Sequence, residues 1–335
     1  MSETPSSRRK PGPTFFASTL KKRWGPAVAG VTMMVSPAVA DTVYVSNEAS
    51  DVVHVIDGAT GARRGDIAVG KRPRGLAMAP DGKRLFVAVS NDNDVAIVDL
   101  ATGKVAGRLP SGPDPEVIAV TPDGATAFVS NEEDNLVSFI DVGGARVTHE
   151  VPVGIEPEGV AVSPDGATVI ATSETSSMAH VIDPATATLK ENLPVDARPR
   201  WAEFTRDGKQ VWVSSELGGT VTVFDTATWQ PAGKVDFTSV PNAQPVGIAF
   251  GPDGVRAYVA LGRGNAVAEV DAASLKILRR FPVGERVWEL AVSADGARVY
   301  AANGLSGDLS IIDVASGKVR SVQLGGKPWG VAVSR

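Results

Sequence analysis

The stretch RGLAMAPDGKRLFVAVSNDNDVAIVDLATGKVAGRLPSG, residues 74–112, holds four short runs of alternating or apolar residues divided by turn signals. RGLAMA alternates up to a Pro-Asp-Gly turn at 80–82, KRLFVAVS follows, DVAIVD runs into Leu-Ala-Thr-Gly, and KVAGRLP closes the unit. Period-two alternation bounded by Pro, Asp and Gly reads as strands. The turns have a mechanism: the Asp side chain accepts bonds from the amides that follow it, and Gly takes the backbone conformation other residues avoid. The unit is therefore a four-stranded antiparallel sheet.

The same unit recurs. The Asp-Gly turn returns at Asp81, Asp123, Asp165, Asp207, Asp253 and Asp295, at intervals of 42, 42, 42, 46 and 42 residues. The run that ends in Asp returns at Asp57, Asp99, Asp141, Asp183, Asp225, Asp271 and Asp313, each thirteen residues after Tyr44, Phe86, Phe128, Ile170, Trp212, Tyr258 and Tyr300. Such a period, four strands long and seven times repeated, predicts an all-β fold, a seven-bladed β-propeller with four antiparallel strands per blade. The chain starts and stops inside a unit. The C-terminal strand Gly330–Ser334 is thus expected to join the three strands of residues 43–69 and close the ring, which removes exposed sheet edges.

Residues 1–40 have another character. Basic groups at Arg8-Arg9-Lys10 and Lys21-Lys22-Arg23 precede an apolar run from Ala27 to Val35, and Ala38-Val39-Ala40 stands before Asp41. This order predicts a secretory signal cleaved after Ala40, with residues 41–335 exported to the periplasm as the propeller. The apolar run is shorter than the ~20 residues a membrane helix needs, so no membrane span is expected after cleavage. Cleavage removes six Lys/Arg and Glu3, leaving 27 basic against 37 acidic side chains, a net charge near −10. That balance disfavours nucleic acid as the main partner. The absence of cysteine excludes disulfides, thiolate metal sites and haem attachment through cysteine.

The Pro-Asp-Gly and Asp-x-Ala-Thr-Gly turns lie on one face and are nearly identical between copies, as structural turns should be. The opposite face varies, as functional loops on a rigid scaffold do. Around the aligned Pro stand Arg72/Arg74, Asp114/Glu116, Glu156/Glu158, Arg198/Arg200, Gln244/Val246, Arg286/Trp288 and Lys327/Trp329, and the adjacent loops add Glu48, Glu132, Glu174 and Glu216. Two residues after that Pro the copies carry Gly75, Val117, Gly159, Trp201, Gly247, Glu289 and Gly330; two further on, six carry Ala and the fourth carries Glu203. A buried carboxylate there must be paired or rise in pKa. The candidate ligand-binding set is therefore Arg72, Arg74, Glu116, Glu158, Arg198, Arg200, Trp201, Glu203, Arg286, Trp288, Glu289 and Trp329. In one reading the arginines clamp carboxylates of a ligand while Trp201, Trp288 and Trp329 offer flat faces. In the other, neighbouring copies neutralise each other, Arg72/Arg74 against Asp114/Glu116 and Glu156/Glu158 against Arg198/Arg200.

Other chemistry is thin. His54 and His180 occupy equivalent third-strand positions that suit packing, and His149 lies on an outer strand. No H-E-x-x-H, G-x-S-x-G, phosphate loop or complete calcium loop is present, so no metal or catalytic residue is assigned.

The motifs YVSN (44–47), GVAVSPDG (159–166) and VIDGATG (55–61) resemble the YVTN-repeat β-propellers across the mature chain. RLPSGPDPE, SETSSMAHVID, DARPRWAEFTRDGKQVWVSSELGGTV and GERVWELAVS are similar to exported propellers associated with pyrroloquinoline quinone (PQQ)-dependent catabolism. The resemblance implies a non-catalytic periplasmic accessory protein of a quinoprotein alcohol oxidation system. Its partner would be the dehydrogenase or its electron acceptor, and PQQ would be a candidate bound ligand. It carries no established catalytic residues. A lactonase or hydrolase with Glu203 as general base, and a nucleic-acid-binding YVTN propeller, are the alternatives.

Overall fold

The alternation in residues 74–112 is realised as strands Pro73–Met78, Arg84–Val89, Asp94–Asp99 and Lys104–Pro110, paired antiparallel in chain order. The computed structural model describes Gly12 and residues 41–334; the expected export signal otherwise lies outside the described residues. Within them the unit is built seven times, as seven four-stranded sheets. Blade one is the composite one: Pro328–Ser334 pairs antiparallel with Thr42–Asn47, which continues to Val52–Asp57 and Arg63–Ala68. Blades two to seven begin with the inner strands Pro73–Met78, Pro115–Val120, Pro157–Val162, Pro199–Phe204, Ile248–Phe250 and Val287–Val292. The protein is an all-β, seven-bladed propeller closed as expected. One short 3₁₀ turn, Ser90–Asp92, interrupts the strands. Among the described residues no helix is long and apolar enough to cross a membrane.

The aligned large residues explain why blades stack. Each faces the next blade: Tyr44 packs with Leu85 and Val87, Phe86 with Ala127 and Val129, Trp212 with Ala257 and Val259, and Tyr300 closes the ring on Val43 and Val45. Phe86, Phe128, Trp212 and Tyr300 are fully buried. Truncating a buried aromatic of this kind costs about 3–5 kcal/mol, so the inter-blade seams hold much of the stability.

Two polar devices fix the inner strands. The Ser of YVSN is buried and bridges blades: Ser46 Oγ accepts from the Gly330 amide (2.8 Å) of its own blade and donates to the Arg74 carbonyl (2.6 Å) of the next. Ser214 likewise donates to the Val246 carbonyl at 2.6 Å. Secondly, the residue before the aligned Pro position has left-handed backbone at Arg72, Asp114, Glu156, Arg198 and Arg286, with φ between 49° and 61°. Such residues cost on the order of 1 kcal/mol each unless held. In four cases the preceding blade's loop holds the amide: Asp51, Asn93, Asn135 and Asn265 accept from Arg72, Asp114, Glu156 and Arg286 at 2.9–3.3 Å. These bonds aim the variable side chains at the axis.

The turn aspartates do what turn chemistry requires. Asp57 accepts from the amides of Ala59 (3.0 Å) and Thr60 (2.7 Å), and Asp99 from Thr102 (2.8 Å). The histidines are packing residues: His54 is bonded to Asn47 (3.1 Å) and Asp66 (2.8 Å), His180 to Ser173 (3.0 Å) and Asn192 (2.6 Å).

Candidate functional site

In six of the seven blades a bulge follows the aligned Pro position; the residue next after it lies toward the mouth and the one after that toward the central tunnel. The candidate residues therefore divide between two places. Arg72, Arg74, Glu116, Glu158, Arg198, Arg200, Arg286 and Trp288 surround the mouth; Trp201, Glu203 and Glu289 line a chamber below it. Trp329, buried under Arg74, belongs to the boundary. The sequence reading placed all twelve in one funnel, and the register shift between Pro199 and Trp201 separates them.

The boundary is aromatic. Trp288 and Trp329 stack with ring centroids 6.1 Å apart and an interplanar angle of 29°. Together with Trp201 and Val117 they belong to one contiguous apolar cluster. The mouth cavity above, about 490 Å³, and the chamber below, about 560 Å³, share no lining residue.

In the mouth, charge is arranged in a continuous network. Arg74 meets Glu116, Glu48 (2.9 Å) and Glu158 (3.3 Å). Arg200 meets Glu174, Glu158 (2.9 Å) and Glu216 (2.7 Å). Arg198 reaches Glu174 at 2.6 Å, Arg72 reaches Asp114 at 2.7 Å and Arg286 reaches Glu216 at 2.7 Å. Neighbouring copies thus do neutralise each other, with the loop carboxylates Glu48, Glu174 and Glu216 completing pairs between blades. Burial alone would lower the Arg200 guanidinium, but Glu158, Glu174 and Glu216 outweigh it and hold the pKa above its ordinary value. Burial likewise raises Glu158, yet Arg200 and Arg74 bring it below the usual carboxylate range. Burial and the nearby Glu158 push Glu174 up to about 8.

Asp114, Glu116 and Glu132 approach closely enough to share a cation. The guanidinium groups of Arg72 and Arg74 already stand against Asp114 and Glu116. A metal ion there would meet two like charges, so this group is part of the ion-pair network.

The network is not uniform around the ring. At the aligned loop position four blades place Glu48, Glu132, Glu174 and Glu216, while blades six and seven place Gly262 and Gly304. A Cβ on Gly304 would overlap the Trp288 indole nitrogen, and one on Gly262 would lie 2.6 Å from the Gln244 carbonyl oxygen. Blades six and seven therefore bring no carboxylate at this loop position to that side of the mouth cavity. It is lined by Arg198, Arg200, Arg263, Arg286 and Lys327 against only Glu48 and Glu216, with Trp288 as its flat wall. The Arg286 guanidinium lies 3.9 Å from the Trp288 ring centroid and Arg200 lies 5.5 Å from it. Arg263 and Lys327 are exposed and form no salt bridge among the described residues. Arg263, Gly262 and Gly304 were not among the expected site residues; the signal was the loss of Glu from a loop position that is acidic in four blades and serine, Ser90, in one.

Known proteins agree with this architecture. A model of YNCE-like β-propellers matches residues 16–123, about a third of the chain. No curated protein sequence matches. Among solved structures, the Kuenenia stuttgartiensis hydrazine synthase is 25% identical, covering 82% of this chain and 92% of that one with a TM-score of 0.74. A candidate 6-phosphogluconolactonase from Bacteroides fragilis is 18% identical (90% and 99% covered, TM-score 0.75). A functionally unknown protein from Desulfotomaculum acetoxidans is 16% identical (88% and 99%, TM-score 0.78). The chain is a β-propeller protein. The last two likenesses carry the fold alone, since a fold hosts many functions.

Proposed function

We propose that the protein is an exported, non-catalytic binding protein whose mouth takes a small anionic aromatic molecule, in the service of a quinoprotein alcohol oxidation system. The observation that supports this most is the open side of the mouth: five basic side chains against two carboxylates, set around the Trp288 ring in a cavity of about 490 Å³. That volume falls in the range of small-molecule sites. Guanidinium groups match carboxylates and stack on rings, and Arg263 and Lys327 are the cations left over for a ligand after the pairs are made. PQQ, a flat aromatic tricarboxylate, has the shape and charge this site would recognise.

Calorimetry with PQQ tests the proposal. Micromolar binding is expected, weakened about tenfold, or about 1.4 kcal/mol, by either Arg263→Ala or Lys327→Ala and weakened by high salt. Absence of binding at high micromolar PQQ, or unchanged binding in the Arg263→Ala, Trp288→Ala double variant, would overturn it. The fold is shared with a candidate lactonase, so lactone turnover by the purified chain would replace this reading with an enzymatic one. Occupation of the same rim by a quinoprotein dehydrogenase or its electron acceptor would show as PQQ-independent complex formation. For nucleic acid, the mouth carboxylates Glu48, Glu132, Glu174 and Glu216 are an unfavourable surface.

A further inference from the structure

The lower chamber has a composition opposite to that of the mouth, and the ion-pair network does not reach it. Its lining includes Pro164 and Arg206, so it opens toward the Pro-Asp-Gly turns. Two carboxylates enter it, Glu203 from blade five and Glu289 from blade seven. Glu289 is 6% exposed. One of its oxygens accepts from the Val331 amide at 3.1 Å and rests where a Cβ on residue 330 would come within 2.8 Å, a seat that only glycine leaves open. Its other oxygen makes no hydrogen bond among the described residues. Glu203 receives the Trp201 indole N–H at 3.3 Å. Neither carboxylate forms a salt bridge among the described residues. The cation acting on Glu203 is Arg206, an exposed side chain whose Nε donates to the Gly251 carbonyl at 3.2 Å. In the mouth, by contrast, Glu158, Glu174 and Glu216 each touch at least one guanidinium.

We infer that this chamber binds a small organic ammonium ion, its charge between the Glu203 and Glu289 carboxylates and its hydrocarbon part against Trp201 and the wall formed by Ala119, Ala161 and Ala249. An ammonium group offers up to three donors to acceptors that lack them, and an adjacent indole face attracts a cation. A volume of about 560 Å³ is far more than one metal ion fills and suits a small organic molecule. Two carboxylates fall short of the six to eight oxygens a calcium ion takes. Burial keeps the empty pair from ionising freely: Glu203 is pushed up to about 7, and burial, opposed by the Val331 amide and reinforced by Glu203, holds Glu289 well above the ordinary carboxylate range. Binding of a cation therefore displaces protons, and affinity must rise with pH.

The test uses 2-phenylethylammonium, its neutral counterpart 2-phenylethanol, and calcium ion, each titrated calorimetrically into the purified chain. The ammonium compound is expected to bind about tenfold or more tightly than the alcohol. Its affinity should rise about tenfold between about pH 6 and pH 8, and fall about tenfold in Glu289→Gln or Glu203→Gln. Ala249→Leu, which narrows the chamber at its alanine wall without removing a carboxylate, should weaken binding about tenfold, and Lys327→Ala in the mouth should leave it unchanged. Equal binding of the alcohol, a flat pH profile, unaltered affinity in the Gln variants, or binding of calcium in place of the ammonium ion would each overturn the inference. Where a Gln variant fails to fold, the wild-type pH profile and Ala249→Leu decide. The outcome is independent of the mouth, because the two cavities share no lining residue.

Discussion

Replacing Glu203 with glutamine should stabilise the protein, by an amount that grows as pH rises from about 4.5 to about 7 and is constant above that. The Glu203 carboxyl is pushed up to about 7 by burial, which its hydrogen bond from Trp201 and the field of Arg206 only partly oppose. In the unfolded chain the same group titrates near 4.5. Below that pH both states are protonated and the group contributes nothing. As pH rises toward 7 the unfolded chain gives up its proton first, so stability falls, and above 7 the full deficit is present. A separation of this size is worth about 3 kcal/mol. Glu203 is partly exposed to the chamber, so water recovers some of it, and about 1–3 kcal/mol is expected. Glutamine keeps the volume and an acceptor for the Trp201 N–H but cannot ionise. At about 2 °C per kcal/mol for a domain of this size, Glu203→Gln should raise Tm by about 2–6 °C near pH 8.5 and leave it unchanged near pH 4.5. Melting followed by circular dichroism at both pH values reads the difference. An equal shift at the two pH values, or a loss of stability near pH 8.5, would refute the assignment of an uncompensated carboxylate to this position.

Two further substitutions probe the scaffold. Glu216→Ala removes the shared partner of Arg200, Arg286 and Arg198, at 2.7, 2.7 and 3.4 Å, in a site where Glu216 is 3% exposed; urea unfolding near pH 7 should show a loss of about 3–5 kcal/mol. Burial raises the Glu216 carboxyl, but Arg200 and Arg286 bring it below its ordinary value, so this contribution is present above the unfolded pKa and must fade as pH falls through the folded one; a cost that persists undiminished in acid contradicts the pairing. Gly330→Ala would place a Cβ 2.6 Å from the Arg74 carbonyl oxygen and 2.8 Å from Glu289 Oε2, and a loss of about 1–3 kcal/mol is expected. Gly65→Ala, where a Cβ meets nothing within 4 Å, should be close to neutral in the same urea experiment, and equal costs at the two positions would refute the steric account.

The blade count, the strand order and the closure at residues 328–334 were legible because each rests on a local signal repeated seven times. A single Pro-Asp-Gly turn is weak, but the same turn at a constant interval is not. The pairing of charges was legible as an alternative, since Arg72 and Asp114 occupy matching positions one blade apart and do meet at 2.7 Å. What could not be read was direction. Period-two alternation puts Trp201 and Glu203 on one side of the strand and a single funnel was expected to hold Arg200 with them, while the bulge after Pro199 leaves Arg200 at the mouth and Trp201 in the tunnel. A bulge leaves no residue signature here because its hydrogen bonds come from elsewhere in the chain: the Ser46 hydroxyl reaches residues 28 and 284 positions away. The open side of the mouth was equally hidden, since Gly262 and Gly304 become informative only when Trp288 is seen to occupy the space a side chain would need.

The distribution of large side chains around the axis follows from the same crowding. At the position two residues after the aligned Pro, a Cβ on Gly75, Gly159, Gly247 or Gly330 would come within 2.6–2.7 Å of a carbonyl oxygen in the next blade. Three blades nevertheless carry Val117, Trp201 and Glu289, and each of these has glycine in both neighbouring blades. A large residue is accommodated where its neighbours yield the space, so a ring of seven admits three such residues and must leave one pair of glycines adjacent. That pair is Gly330 and Gly75, and the room beside Gly330 is taken by the Glu289 carboxylate. This ring of positions is thus filled to its steric limit, and its aliphatic group, indole and carboxylate all line the chamber. A further large side chain near the axis has to come through position 203, where the other six blades carry alanine, or through exchanging one of these three residues for another, because a fourth large side chain at this level has no glycine-flanked place left to stand.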